Sequence, residues 1–140
     1  MSDAASIARN YLDAWNRRDW ARYRDVLHPE YTFTGGDGQT QKGQDAGLAI
    51  GQMFATAFPD GKIDVQKITT AGDSFAVAEF VGRGTHTGDL MGIAPTGRQI
   101  SIPVCEVYEL RDGKIHAERQ YMDMLVMMQQ LGVAPAPATA

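Results

Sequence analysis

The sequence predicts an α+β fold, helices first and a curved antiparallel sheet after them, because the period of its apolar residues changes near residue 61. Before that point apolar side chains recur at helical spacing. After it, four segments alternate with a period of two and are joined by hairpin-length links rich in Gly and Asp. A sheet bent around helices that pack on one of its faces leaves a concave, mostly apolar space, the kind of place where small molecules bind.

The first helix is expected over residues 4–17, capped by Asp3, with Ile7, Tyr11, Ala14 and Trp15 on one face. Asp19 caps a second, shorter helix carrying Trp20, Tyr23, Val26 and Leu27, which Pro29 terminates. Residues 31–34 read as a short strand running into the turn Gly35-Gly36-Asp37-Gly38, and a third helix spans 44–58 before Pro59-Asp60-Gly61. Strands follow over 62–70, 74–87, 98–110 and 114–123. Residues 124–131 close the chain as a helix with Asp123 as N-cap and Gly132 as C-cap. This makes one domain, 1–132, with 133–140 as a flexible tail rich in Ala and Pro.

A chain of 140 residues can bury a single core. Its net charge is −4, and its 13 Lys and Arg are scattered, so it has no basic stripe for nucleic acid. No uncharged apolar run of about 18 residues predicts a membrane span, and residues 1–5 lack the pattern of a secretion signal. A single cysteine, Cys105, cannot form an internal disulfide and suits a reducing cytoplasm.

The run Tyr11-Leu12-Asp13-Ala14-Trp15-Asn16-Arg17-Arg18-Asp19, followed by Leu27-His28-Pro29-Glu30-Tyr31, resembles the opening of the nuclear-transport-factor-2-like superfamily. The stretch from Gly84-Thr85-His86-Thr87-Gly88 to Pro95-Thr96-Gly97-Arg98, with Asp112-Gly113-Lys114-Ile115 and Gln130-Leu131-Gly132, is similar to the SnoaL-like polyketide cyclases. The resemblance implies a conical α+β barrel, usually oligomeric, that closes a ring by an intramolecular aldol reaction without metal or cofactor. It places Glu106 where those cyclases carry a histidine and Gln120 where they carry the aspartate base. Both positions are departures, since a glutamine cannot take up a proton at neutral pH. The implied function is a cyclase- or isomerase-type enzyme acting on a small apolar, polyketide-like substrate. The polyketide-hydroxylase type of the same family, or a domain that binds a small molecule without reaction, are the alternatives. A homodimer or higher homo-oligomer is the expected assembly.

The residues themselves nominate Glu106, which shares the apolar strand face of Ile100, Ile102, Val104, Tyr108 and Leu110. A carboxyl there is desolvated, its pKa rises, and it can act as acid or base near neutral pH. Hairpin register decides its neighbour. A two-residue Asp112-Gly113 turn sets Glu106 opposite Arg119, whereas a three-residue loop with a glycine bulge sets it opposite Glu118 and turns Glu118 and Gln120 inward. Tyr11 and Trp15, four residues apart on one helix, suit a core or a pocket wall with a polar tip. Met53 belongs to a set of methionines that would give an adaptable lining. His86, ahead of a glycine-rich loop, is a candidate ligand contact or a structural histidine bonded to the loop. His28 reads as a helix-end residue, Cys105 as inert, and His28, His86 and His116 show no metal-ligand spacing.

Overall fold

A computed structural model describes residues 3–135. The elements run α1 (Ala4–Asn16), α2 (Trp20–Asp25), β1 (Leu27–Thr34), β2 (Thr40–Lys42), α3 (Gln44–Ala57), β3 (Lys62–Thr70), β4 (Phe75–Thr85), β5 (Gln99–Arg111), β6 (Lys114–Met122) and α4 (Met124–Leu131). Three of the four helix starts follow the sequence chemistry. The carboxylates of Asp3, Asp19 and Asp123 accept from the backbone N–H of Ser6, Arg22 and Val126, and Gly132 closes α4 with φ of 77°. Of the expected tail 133–140, the last five residues lie outside those described.

The six strands form one curved sheet in the order β2-β1-β6-β5-β4-β3. Its edges, β2 and β3, do not meet, so the expected barrel is an open cone. Neighbours are antiparallel, as expected, except β1 and β6, which run parallel. Pro29 lies inside β1 and does not end α2; it falls in the interruption of the β1–β6 ladder between Leu27 and Thr32, where its missing N–H costs nothing. His28 accordingly belongs to this strand and not to a helix end. No helix among the described residues is long and apolar enough to cross a membrane.

The β5–β6 hairpin departs from both expected registers. Asp112 (φ 54°) and Gly113 (φ 72°) make the two-residue turn, pairing Arg111 with Lys114. One extra residue, His116, then bulges from β6 between Ile115 and Ala117. Beyond the bulge Glu106 faces Gln120, Tyr108 faces Glu118, and Val104 faces Met122, all on the concave side.

Candidate active site

The concave face of the sheet and the inner faces of α1, α2 and α3 bound a cavity of about 790 Å3, its open mouth included. Trp15, Phe33, Phe54, Phe58, Phe80 and Met127 give it apolar walls.

Its polar groups gather in one network. Glu118, only 2% exposed, accepts the Tyr11 hydroxyl at 2.7 Å and the Tyr31 hydroxyl at 2.6 Å on the same oxygen, Oε1. The Tyr11 and Tyr23 hydroxyls lie 2.7 Å apart. A phenol has one proton, and Tyr11 gives its own to Glu118, so Tyr23 supplies the proton of this contact. On the next strand Tyr108 donates to Glu106 Oε1 at 2.5 Å. Glycines in α3 make room for the tyrosines. A Cβ at Gly47 would sit 2.6 Å from the Tyr31 ring, and one at Gly51 2.7 Å from the Tyr23 hydroxyl. The Gly51 carbonyl in turn receives the indole N–H of Trp15 at 2.9 Å.

Burial pushes the Glu106 carboxyl well above its ordinary value, and the adjacent Glu118 pushes it further, against the Tyr108 hydroxyl. Glu118 is also raised by burial, but the donors Tyr31, Glu106 and Tyr11 hold it back. Of the two, Glu106 therefore holds a proton more firmly and Glu118 ionises first, although titration belongs to the pair as a whole. Burial keeps Tyr11, Tyr23 and Tyr108 protonated as donors.

Of the residues singled out from sequence, Glu106, Gln120, Glu118, Tyr11 and Trp15 border the cavity. Three do not. Arg119 points to the convex face, where it pairs with Glu109, because the register that turns Glu118 and Gln120 inward turns Arg119 outward. His86 is fully buried behind Phe58, its Nδ1 accepting the Thr96 N–H at 3.2 Å, which is the structural alternative for this residue. Met53 is half-buried on α3 outside the lining, where Ile50 and Phe54 of the same helix take its place. Tyr23, Tyr31 and Tyr108 complete the network without having been nominated, although the alternation that placed Glu106 inward also carries Tyr108. The fold also draws together His28, Glu30 and His116, with donor atoms within 4.8 Å of one another, an approach across the β1–β6 pair that chain spacing does not reveal. Both nitrogens of His28 are engaged by the protein, Nδ1 by the Glu30 N–H at 3.0 Å and Nε2 toward Asp112 at 3.4 Å.

An open cone made of a curved six-stranded sheet with helices packed on its concave side is the nuclear-transport-factor-2-like fold. The chain belongs to the SnoaL-like polyketide cyclase family, whose profile matches residues 5–131. It is 28% identical to the aklanonic acid methyl ester cyclase AcmA of Streptomyces galilaeus, over 99% of this chain and 96% of that protein. It is 26% identical to the aklanonic acid methyl ester cyclase DnrD of Streptomyces peucetius, over 94% of this chain and 92% of the other. A Jannaschia sp. CCS1 structure assigned to the SnoaL-like polyketide cyclases superposes with a TM-score of 0.84 at 21% identity, over 92% of this chain and 91% of its own, and supports the fold.

Proposed function

We propose that the protein is a cofactor-free acid–base enzyme of cyclase or isomerase type, acting on a small, apolar, polyketide-like ketone in this cavity. The observation that carries the reading is the Glu106–Glu118 pair, buried against tyrosine donors yet facing the cavity. An acid held protonated beside a fixed carboxylate can deliver a proton to a carbonyl oxygen while the pair accepts one from the neighbouring C–H. In a ring closure, the enol carbon so formed attacks a second carbonyl, the new C–C bond replaces its C–O π bond, the proton taken from carbon ends on that oxygen, and the enol O–H proton returns to the acid as the first carbonyl re-forms. The pair finishes as it began. Gln120 stands beside Glu106 with its amide 3.2 Å from the weak acceptor Met122 Sδ, a contact readily exchanged for a substrate oxygen.

We also propose a homodimer through the convex face, where Tyr121 is 55% exposed beside half-buried Cys105 and Val107. A reducing cytoplasm would suit the free thiol of Cys105.

The test is incubation with aklanonic acid methyl ester, named for AcmA and DnrD, and with simpler aromatic polyketones, in deuterated buffer. Conversion to an isomer of unchanged mass, or deuterium uptake next to a carbonyl that is lost in Glu106→Gln, supports the reading. Saturable binding without either outcome would leave a carrier in place of an enzyme.

A further inference from the structure

We infer that the cavity selects apolar molecules that carry a basic nitrogen and rejects carboxylic acids. The inference rests on the proposed site and adds the charge of its ligand. Two carboxyls, Glu106 and Glu118, lie 6% and 2% exposed on the cavity wall, and among the described residues no Lys, Arg or His makes an ion pair with either. Buried carboxylates are ordinarily matched by a cation. Here the facing groups on every surrounding element are neutral: Tyr11 on α1, Tyr23 on α2, Tyr31 on β1, Tyr108 on β5 and Gln120 on β6. Lys62 and Arg83 border the cavity, but both residues are exposed, and Arg83 turns its guanidinium to Ser101 at 3.2 Å and Asp64 at 3.5 Å.

The pair holding one proton thus leaves a negative charge in an aromatic enclosure with no counter-charge from the protein. An ammonium beside Glu106 supplies it and lies against ring faces of the kind that favour cations. A ligand carboxylate would bring further negative charge into a poorly solvated space. Proton accounting closes without a co-reactant. A basic amine is already an ammonium in neutral water, so it enters with its own proton, neutralises the charge of the pair and leaves the Glu106 proton in place.

Three probes of one shape decide the matter: 1-naphthylmethylamine, 1-naphthalenemethanol and 1-naphthoate, titrated by Trp15 and Trp20 fluorescence and by calorimetry. The amine should bind roughly tenfold or more tightly than the alcohol, on the scale of one desolvated cation contact, and the acid more weakly than both. Amine affinity should rise with pH as the pair loses its last proton. In the double variant Glu106→Gln/Glu118→Gln, shown folded by circular dichroism, the amine should bind no more tightly than the alcohol, whereas Glu106→Gln alone keeps the Glu118 carboxylate and should keep part of the preference. Equal binding of amine and alcohol, or preferred binding of naphthoate, overturns the charge inference alone. Binding of none of the three overturns both it and the cavity as a ligand site.

Discussion

Glu106 faces Gln120 across β5 and β6 because β6 carries one residue more than β5 on its side of the hairpin, His116. Without that bulge the Asp112-Gly113 turn would set Arg119 opposite Glu106, a guanidinium beside the carboxyl. The bulge thus removes a salt bridge and leaves an uncompensated acid on the cavity wall.

Glu106→Gln keeps the shape of the wall and removes the exchangeable proton. Turnover should fall by about a hundredfold or more, the scale of a lost acid–base group, with little change in KM. Steady-state kinetics on the substrate found in the deuterium experiment checks this. Full activity would take Glu106 out of the mechanism.

Stability should fall as pH rises. Both Glu106 and Glu118 have folded pKa values above that of an ordinary carboxyl, so between the two the native state binds more protons than the unfolded chain. Unfolding free energy then decreases with pH, the stabilisation being complete below the unfolded pKa and lost through the folded one. Urea titrations from pH 5 to 9 should show the decline, and Glu106→Gln should flatten it.

Tyr31→Phe removes a 2.6 Å donor from Glu118 and leaves Tyr11 as its remaining hydroxyl partner. The expected cost is about 1.5–3 kcal/mol, the range for a hydrogen bond to a charged group, measured by denaturant unfolding. Because Tyr31 is the foremost group holding Glu118 down, the pH profile of activity should also shift.

Gly51→Ala would place a methyl 2.7 Å from the Tyr23 hydroxyl. Overpacking of this kind costs roughly 1–3 kcal/mol, and it should displace Tyr23 from Tyr11. A melting curve together with the tyrosine hydroxyl resonances would report both effects. An unchanged melting temperature would mean that α3 slides outward at no cost.

Most elements and the Asp caps were legible because each rests on local chemistry, the period of apolar residues, Asp at the helix starts and Asp-Gly at the hairpin, but β2 and the start of β1 at Leu27 were not, since both are set by pairing with other strands. The inward faces of Glu106, Glu118 and Gln120 could be read from alternation once a bulge was allowed, but its position at His116 could not, since nothing in Lys114-Ile115-His116-Ala117 marks one residue as extra. Met53 was misplaced, and the two readings of His86 stayed open, for a related reason. Which side of a helix or loop meets a cavity depends on packing between distant segments, here α3 on β1 and the 86–97 loop behind Phe58. The β1–β6 pairing had no local signature at all, and it is what brings Tyr31 to Glu118.

If the convex face mediates association, Tyr121→Arg should convert a dimer to a monomer in sedimentation at micromolar concentration. A wild-type monomer under the same conditions would sink the proposal.

The parallel β1–β6 pairing has a consequence for how the chain folds. Tyr31 and Glu118 are 87 residues apart, and β1 has only the three-residue β2 as its other partner in the sheet. Its main neighbour, β6, is synthesised only after β2, β3, β4 and β5. Early helices and the β3–β5 meander can form from near contacts, but β1 must wait for β6, and contacts of such separation slow folding. The acid network is therefore among the last parts to assemble. Until then Tyr31, Phe33 and the inner side of α3 lack their cover, a window in which a nascent or heat-stressed chain is open to aggregation.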